Sequence, residues 1–263
     1  MKGNDLIHNL SEVSKDRKVI VFDLDGTLAE SKSEIDGEME TLLTKLLKLK
    51  RVAVIGGGKY DLFRHQLLNR LSAPPELLKN LFIFPATATS FYRYNGSEWM
   101  PVYSQIFSKD EKISILSAFE KAFQELNYQH LEKIYGEIIE DRGAEIVFSA
   151  LGQEAPIELK EKWRQDNLDT REKITEALQK YLPDMEVKVT GLTSIDITRK
   201  GIDKAYGMEQ IKKYLETNYI DMLFVGDAFS AKGNDAAVLN TDVLSFEVKG
   251  VEDTKALVRY LLQ

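Results

Sequence analysis

The sequence predicts an α/β protein in which a parallel-sheet domain is interrupted by an α+β insertion. Three observations predict it. Short apolar runs rich in β-branched residues alternate with segments of helical spacing as far as Pro85. The pattern then changes to hairpin-like and paired strand-like pieces. From Ile202 the alternation of helix and buried strand returns.

Residues 18–22 are apolar and bounded by charge, as a strand buried on both faces requires. A turn over 23–28 comes next, then helical spacing through Ile35, Met39, Leu42, Leu43, Leu46 and Leu47. A second strand, 52–55, runs into Gly56-Gly57-Gly58, and Leu62, Leu67, Leu68 and Leu71 mark the next helix. Residues 81–84 are the third strand. Residues 91–99 read as an antiparallel hairpin turning at Asn95-Gly96. A long amphipathic helix over 108–127, strands over 135–141 and 145–151, a charged helix over 168–181 and strands over 186–190 and 194–198 fill the middle. A helix over 202–215, a buried strand over 222–225, the segments 236–239 and 243–246, and a terminal helix over 254–262 complete the sheet domain. The crossings fall near 85–90 and 185–192, giving a core of 1–88 and 189–263 around an insertion of 89–188.

The 263 residues, 43% hydrophobic and 29% charged, suffice for two buried cores. No apolar run approaches the roughly 20 residues that cross a bilayer. Met1-Lys2-Gly3-Asn4-Asp5 does not read as a secretory signal, so a cytoplasmic protein with no membrane partner is expected. The formal charge is −7 and no long basic block stands out, which argues against nucleic acid as a partner. The absence of cysteine excludes disulfides, thiolate catalysis and thiolate zinc sites. His8, His65 and His130 have no metal-ligand spacing. Any titratable chemistry falls to carboxylates and lysines.

In open parallel sheets, ligands collect beyond the carboxyl ends of the strands. Asp23 and Asp227 lie just past such ends. The triple glycine 56–58, the stretch 200–204 and Gly233-Asn234-Asp235 occupy equivalent places. Carboxylates that converge repel one another unless a cation sits between them, and an all-oxygen donor set favours Mg²⁺.

Asp23-Leu24-Asp25-Gly26-Thr27-Leu28 matches the first motif of the haloacid-dehalogenase-like (HAD) superfamily. Asp203-Lys204 resembles its third motif, and Gly226-Asp227 with Gly233-Asn234-Asp235 its fourth. The insertion falls where the class IIB cap would sit. Together with Val54-Ile55-Gly56-Gly57, these motifs make the chain similar to the eukaryotic-type phosphomannomutases and their prokaryotic relatives. The resemblance implies a Rossmann-like parallel-sheet core with an inserted α+β cap. It implies that Asp23 is the nucleophile that becomes an aspartyl phosphate, with Asp25 as general acid–base. Mg²⁺ would be held by Asp23, Asp227 and the main-chain carbonyl of Asp25, with Asp235 and Asn234 in support. Lys204 and the backbone N–H groups of Gly26, Gly57 and Gly58 would bind the phosphoryl group. In the cap, Arg142 matches a phosphate-clamping arginine, and Ser194 and Asp196 match a Ser-x-Asp that contacts substrate.

The chain departs from that family at three places. Gly58 stands where a serine is usual, leaving backbone, water or Lys59 to replace its hydroxyl. Thr87-Ala88 replaces Asn-Gly, and Gln153 stands where a second clamping arginine is expected. A mutase must rebind a bisphosphate in two orientations, so Gln153 tilts the expectation toward a Mg²⁺-dependent phosphatase of a small phosphorylated metabolite such as a sugar phosphate. A phosphomannomutase or phosphohexomutase is the alternative. An inactive binding module on the same fold is the third reading, disfavoured by intact Asp23, Asp25, Lys204 and Asp227. A monomer or homodimer is expected.

Overall fold

The computed structural model describes residues 6–31, 33–230 and 233–263. The polar opening segment, expected not to be a secretory signal, lies outside them. The chain divides into two units, Met1–Ser104 with Ile202–Gln263, and Gln105–Gly201.

Twelve strands are present among the described residues. In chain order they are β1 (Leu6–Ile7), β2 (Val19–Asp23), β3 (Arg51–Ile55), β4 (Leu81–Phe84), β5 (Ser90–Tyr94), β6 (Trp99–Ser104), β7 (Ile139–Asp141), β8 (Glu145–Ser149), β9 (Met185–Thr190), β10 (Ser194–Arg199), β11 (Met222–Gly226) and β12 (Leu244–Glu247). The first unit carries an eight-stranded sheet in the order β1-β12-β11-β2-β3-β4-β5-β6. All its pairings from β1 to β4 are parallel. From β2 the chain first builds outward through β3 and β4, and later adds β11 and β12 on the other side. The order therefore reverses between β2 and β11, and such a reversal opens a crevice beyond the carboxyl ends of the two strands.

Side chains that alternate along these strands explain why the sheet is buried on both faces. Ile20, Phe22, Val52, Val54, Leu223 and Val225 share one cluster with Met39, Leu43 and Leu46 of the helix Gly37–Leu46 and with Leu257 and Val258 of the helix Val251–Leu261. Val19, Val21, Ala53, Ile55, Met222 and Phe224 join another with Met208 and Ile211 of the helix Lys204–Tyr214.

The hairpin departs from the sequence expectation. It turns at Asn95-Gly96 as expected, with Asn95 N–H donating to Glu98 O at 3.0 Å. However, β5 pairs antiparallel with β4, extending the first sheet. The pairing is held by rings: Phe91 is buried and stacks on Phe84 with centroids 4.4 Å apart, and Tyr92 stacks on Tyr60 at 3.9 Å. The expected crossings at 88/89 and 188/189 are thus corrected to 104/105 and 201/202. At the second crossing, β9 and β10 pair with each other along six residues, which keeps both in the inserted unit.

The inserted unit is a four-stranded antiparallel sheet, β7-β8-β10-β9, with helices Lys109–Glu125, Ile157–Asp166 and Thr170–Tyr181. Ile146, Phe148, Ile195 and Ile197 pack with Ile115, Phe119, Ile174 and Leu178. The helix Ile157–Asp166 was not expected from sequence, because Trp163 is its one buried side chain and its pattern carries little period. Residues 135–138 form no strand, and 236–239 lie in a 3₁₀ turn over Asp235–Asn240. No helix among the described residues is long and apolar enough to cross a membrane.

Candidate active site

Asp23 is the last residue of β2 and is 5% exposed. The chain leaves the strand through a tight turn in which the N–H groups of Leu28 and Ala29 both donate to Leu24 O, at 3.0 and 3.1 Å. Buried Leu24 and Leu28 anchor that turn from beneath. Gly26 has φ +79°, and a Cβ there would lie 2.6 Å from Asp227 Oδ2. Glycine is needed at this position both for its backbone angle and to let Asp227 approach. Gly226, ending β11, is constrained by space alone, since a Cβ would collide with Asp235 Oδ2.

Three carboxylates gather here. Oxygens of Asp23, Asp227 and Asp235 lie within 4.8 Å of one another. Asp235 is fully buried and accepts from Ala228 N–H at 2.8 Å, while Asp227 is exposed and accepts from Thr27 Oγ1 at 3.3 Å. Lys204, 1% exposed, opens its helix after Asp203 caps it by accepting from Tyr206 N–H at 2.9 Å. Its Nζ donates to Asp23 Oδ1 at 2.6 Å, to Asn234 Oδ1 at 3.3 Å and to Asp235 Oδ1.

Burial pushes the Asp23 carboxyl up to about 6, with Lys204 opposing the shift and Asp235 adding to it. Burial likewise raises Asp227, again with help from Asp235. Burial alone would lower the Lys204 ammonium, but Asp23 and Asp235 outweigh it and hold the group above its ordinary value. Three carboxylates against one ammonium leave the cluster short of positive charge, with Asp23 and Asp235 buried and Asp227 at the exposed side. That deficit, the all-oxygen donor set and the short separations fit a hard divalent cation.

A cavity of about 190 Å³ opens beside this cluster, lined by Asp23, Asp25, Gly56–Gly58, Leu62, Phe63, Asp227 and Asn234 among others. The expected residues Asp23, Asp25, Gly57, Gly58, Lys204, Asp227, Asn234 and Asp235 are thus brought together, with Gly26 against Asp227; the Gly26 N–H, expected to bind phosphate, instead donates to Ala29 O at 2.7 Å and closes the turn. The Asp25 carboxylate is not one of the three that cluster; its Oδ1 accepts from Gln66 Nε2 at 3.0 Å. The triple-glycine loop is held from the side: Thr87 N–H donates to Gly56 O and Ala86 N–H to Gly58 O, both at 2.8 Å. At Gly58 a Cβ would collide with Leu62 Cδ2, so Leu62 fills the space where a serine side chain would stand.

The expected cap residues lie in the inserted unit. Arg142 Nε donates to Glu140 at 2.8 Å and Nη1 to Glu145 at 3.3 Å. Asp196, near both Arg142 and Glu145, accepts from Thr190 Oγ1 at 2.8 Å, and Ser194 precedes it by two on β10. Gln153 gives its amide N–H to Val147 O at 3.2 Å. Sequence reasoning missed Glu140, Glu145 and Gln66. Glu145 carried a signal, lying three residues from Arg142 across a glycine turn; Gln66 carried only its polarity beside Leu67-Leu68.

A family model described as eukaryotic phosphomannomutase matches residues 39–263. The phosphomannomutase of Encephalitozoon cuniculi is 29% identical over 256 residues, covering 92% of this chain and 93% of that one. The phosphomannomutase of Saccharomyces cerevisiae is 26% identical over 255 residues, covering 94% and 95%. Among solved structures, a haloacid dehalogenase-like hydrolase from Bacteroides thetaiotaomicron superposes with a TM-score of 0.61 at 16% identity, covering 92% of this chain and 98% of that one, a likeness of fold.

Proposed function

This chain belongs to the eukaryotic phosphomannomutase family, and from that premise we propose that it moves the phosphoryl group of a hexose phosphate by way of an aspartyl phosphate on Asp23, as a phosphohexomutase. The observation that carries the reading is the convergence of Asp23, Lys204, Asp227 and Asp235 beside the cavity that Asp23 and Asp227 line, with Asp25 two residues beyond Asp23. Asp23 attacks phosphorus, and the bond from phosphorus to the sugar oxygen breaks. Asp25 gives its proton to the departing oxygen and then takes one from the hydroxyl that receives the phosphoryl group. Lys204 orients Asp23 and offsets its charge. Asp23, Asp227 and Asp235 would hold Mg²⁺, which supplies charge stabilisation to the phosphoryl group. The backbone N–H groups of Gly57 and Gly58 would donate to the phosphate oxygens, that of Gly56 being taken by Phe84 O.

The expectation of hydrolysis from sequence rested on Gly58 and Gln153. Relatives matched over nearly their whole length favour interconversion instead. Hydrolysis remains a second reading, favoured by one observation: Arg142 is already engaged by Glu140 and Glu145, and Gln153 by Val147 O, so the two candidate clamp positions of the inserted unit are poorly furnished to hold a second phosphate. The deciding experiment supplies mannose 1-phosphate, Mg²⁺ and a hexose bisphosphate activator, and measures mannose 6-phosphate and free phosphate together. Interconversion faster than phosphate release is expected; the opposite order would replace the mutase with a phosphatase.

A further inference from the structure

We propose that Gln66 is a positioning residue for Asp25, holding its carboxyl group toward the reacting oxygen. The inference rests on the reading of Asp25 as the general acid–base. Gln66 has no exposed surface. Its Nε2 donates to Asp25 Oδ1 at 3.0 Å, and its main-chain carbonyl accepts from Ile35 N–H at 2.9 Å, so backbone and side chain are both pinned. A carboxyl group carried on a turn rotates about two side-chain bonds; a donor fixed at one oxygen removes that freedom.

Two further observations separate this role from packing. The first is that Gln66 Oε1 is buried with no hydrogen-bond partner among the described residues. An unsatisfied buried amide carbonyl destabilises a fold, and an apolar side chain of similar length would avoid the cost. An amide here makes sense for what its N–H end does. The second is the local backbone. Residues Arg64–Leu68 form a π-helical turn, in which Asn69 N–H donates five residues back to Arg64 O at 2.8 Å. Such turns re-aim side chains and recur at functional sites. Leu62 and Phe63, just before it, line the cavity with Asp25. One segment therefore builds the apolar wall and sends the amide behind it to the carboxylate.

The test compares Gln66→Met, which keeps length and removes both polar ends, with the wild type on two probes. Mannose 1-phosphate needs a proton delivered to its leaving oxygen; p-nitrophenyl phosphate, with a good leaving group, needs little. The variant is expected to melt at or above the wild-type temperature, because the unpaired carbonyl is gone. Its kcat on mannose 1-phosphate should fall roughly 10- to 100-fold, the scale of a misplaced catalytic group, with KM little changed. Its loss on the aryl phosphate should be several times smaller. Equal losses on both probes, or no loss on mannose 1-phosphate, would overturn the proposal. Gln66→Leu is made alongside, so that the comparison of probes stands if one variant folds poorly. Asp25→Ala is run in parallel: if it too spares mannose 1-phosphate turnover, the acid–base reading falls with the inference, whereas a crippled Asp25→Ala beside an intact Gln66→Met sinks the inference alone.

Discussion

Replacing Lys204 with methionine tests the charge arrangement at the site most directly. The ammonium is 1% exposed and bonds both Asp23 and Asp235, themselves 5% and 0% exposed. Methionine keeps the unbranched stem and deletes the charge, leaving two buried carboxylates facing each other. Removing one partner of a buried ion pair costs about 3–5 kcal/mol, because the other charge stays behind uncompensated. For a domain of this size each kcal/mol moves the melting temperature by about 2–4 °C, so a loss of roughly 6–20 °C is expected without divalent cation. Mg²⁺ should then restore more stability to the variant than it adds to the wild type, since the site it enters is more negative by one charge. At a hundredfold excess over its Kd, a cation that binds only the folded state contributes about 2.7 kcal/mol. Thermal melts of both proteins across a Mg²⁺ series, with a chelated control, read these quantities. A variant melting within about 2 °C of wild type under chelation would refute the reasoning, and so would a Mg²⁺ response no larger than the wild-type one.

Asp23→Asn should abolish turnover while the melt and the circular dichroism stay native-like; retention of more than a few per cent of activity would rule out Asp23 as nucleophile. Gly26→Ala should weaken Mg²⁺ activation by about 10-fold or more, since its Cβ would stand 2.6 Å from Asp227 Oδ2 and push that carboxylate aside. An unchanged Mg²⁺ midpoint in a folded variant contradicts it. Burial, with Asp196 next, lifts Glu145 from 4.5 to about 7. A carboxyl raised in the folded state contributes stability that is fully present below pH 4.5 and is lost as pH rises through 7. The loss is on the order of 3 kcal/mol above pH 7. Glu145→Gln, which never ionises, should therefore melt higher than wild type at pH 8 and lose that advantage toward pH 5; parallel curves at the two pH values would count against the assignment.

The part of the site legible in sequence was the part written in strand ends. Asp23, Asp227 and the glycine loop announce themselves because a buried parallel strand is a short apolar run, and the residues just past its carboxyl end face the crevice. Lys204 was legible only through the resemblance of Asp203-Lys204 to the third motif; the structure adds that Asp203 caps the helix that Lys204 opens. Relations between side chains far apart in the chain were not legible. Nothing local says that Lys204 grips Asp235 as well as Asp23, or that Gln66 reaches back 41 residues to Asp25. Glycine at 58 reads as a missing hydroxyl, and only the structure reveals that Leu62 has taken its space. Arg142 reads as a free clamp until Glu140 and Glu145 are found beside it.

The misplaced domain boundary and the unusual Thr87-Ala88 share one physical cause. Ala86, Thr87 and Ala88 have φ of 49°, 54° and 62°, three consecutive left-handed residues without a glycine. Each costs roughly 1–2 kcal/mol relative to a right-handed conformation, and a β-branched threonine is among the least suited. Asn-Gly at 87–88 would adopt these angles readily, so this chain needs compensating contacts. They are present. Ala86 and Thr87 N–H groups hold the carbonyls of Gly58 and Gly56, Thr89 Oγ1 donates to Ala86 O at 2.8 Å, and Tyr103 OH donates to Ala88 O at 2.8 Å. Tyr103 belongs to β6, the outer strand of the hairpin that sequence assigned to the insertion. It also lies against Phe91 and Tyr214, with centroids at 6.0 and 4.7 Å. The hairpin therefore pairs with the core sheet where its rings can brace the strained turn, and through that turn it steadies the glycine loop at the edge of the cavity. Tyr103→Phe isolates this contribution, because it keeps the ring packing and deletes the bond to Ala88 O. Losing one such bond should cost about 0.5–1.5 kcal/mol, with Ala88→Gly on the same background recovering much of it by relieving the left-handed angle. Thermal melts of the two single variants and the double variant read the coupling; an Ala88→Gly gain no larger in the Tyr103→Phe background than in the wild type would show that hydroxyl and turn act independently.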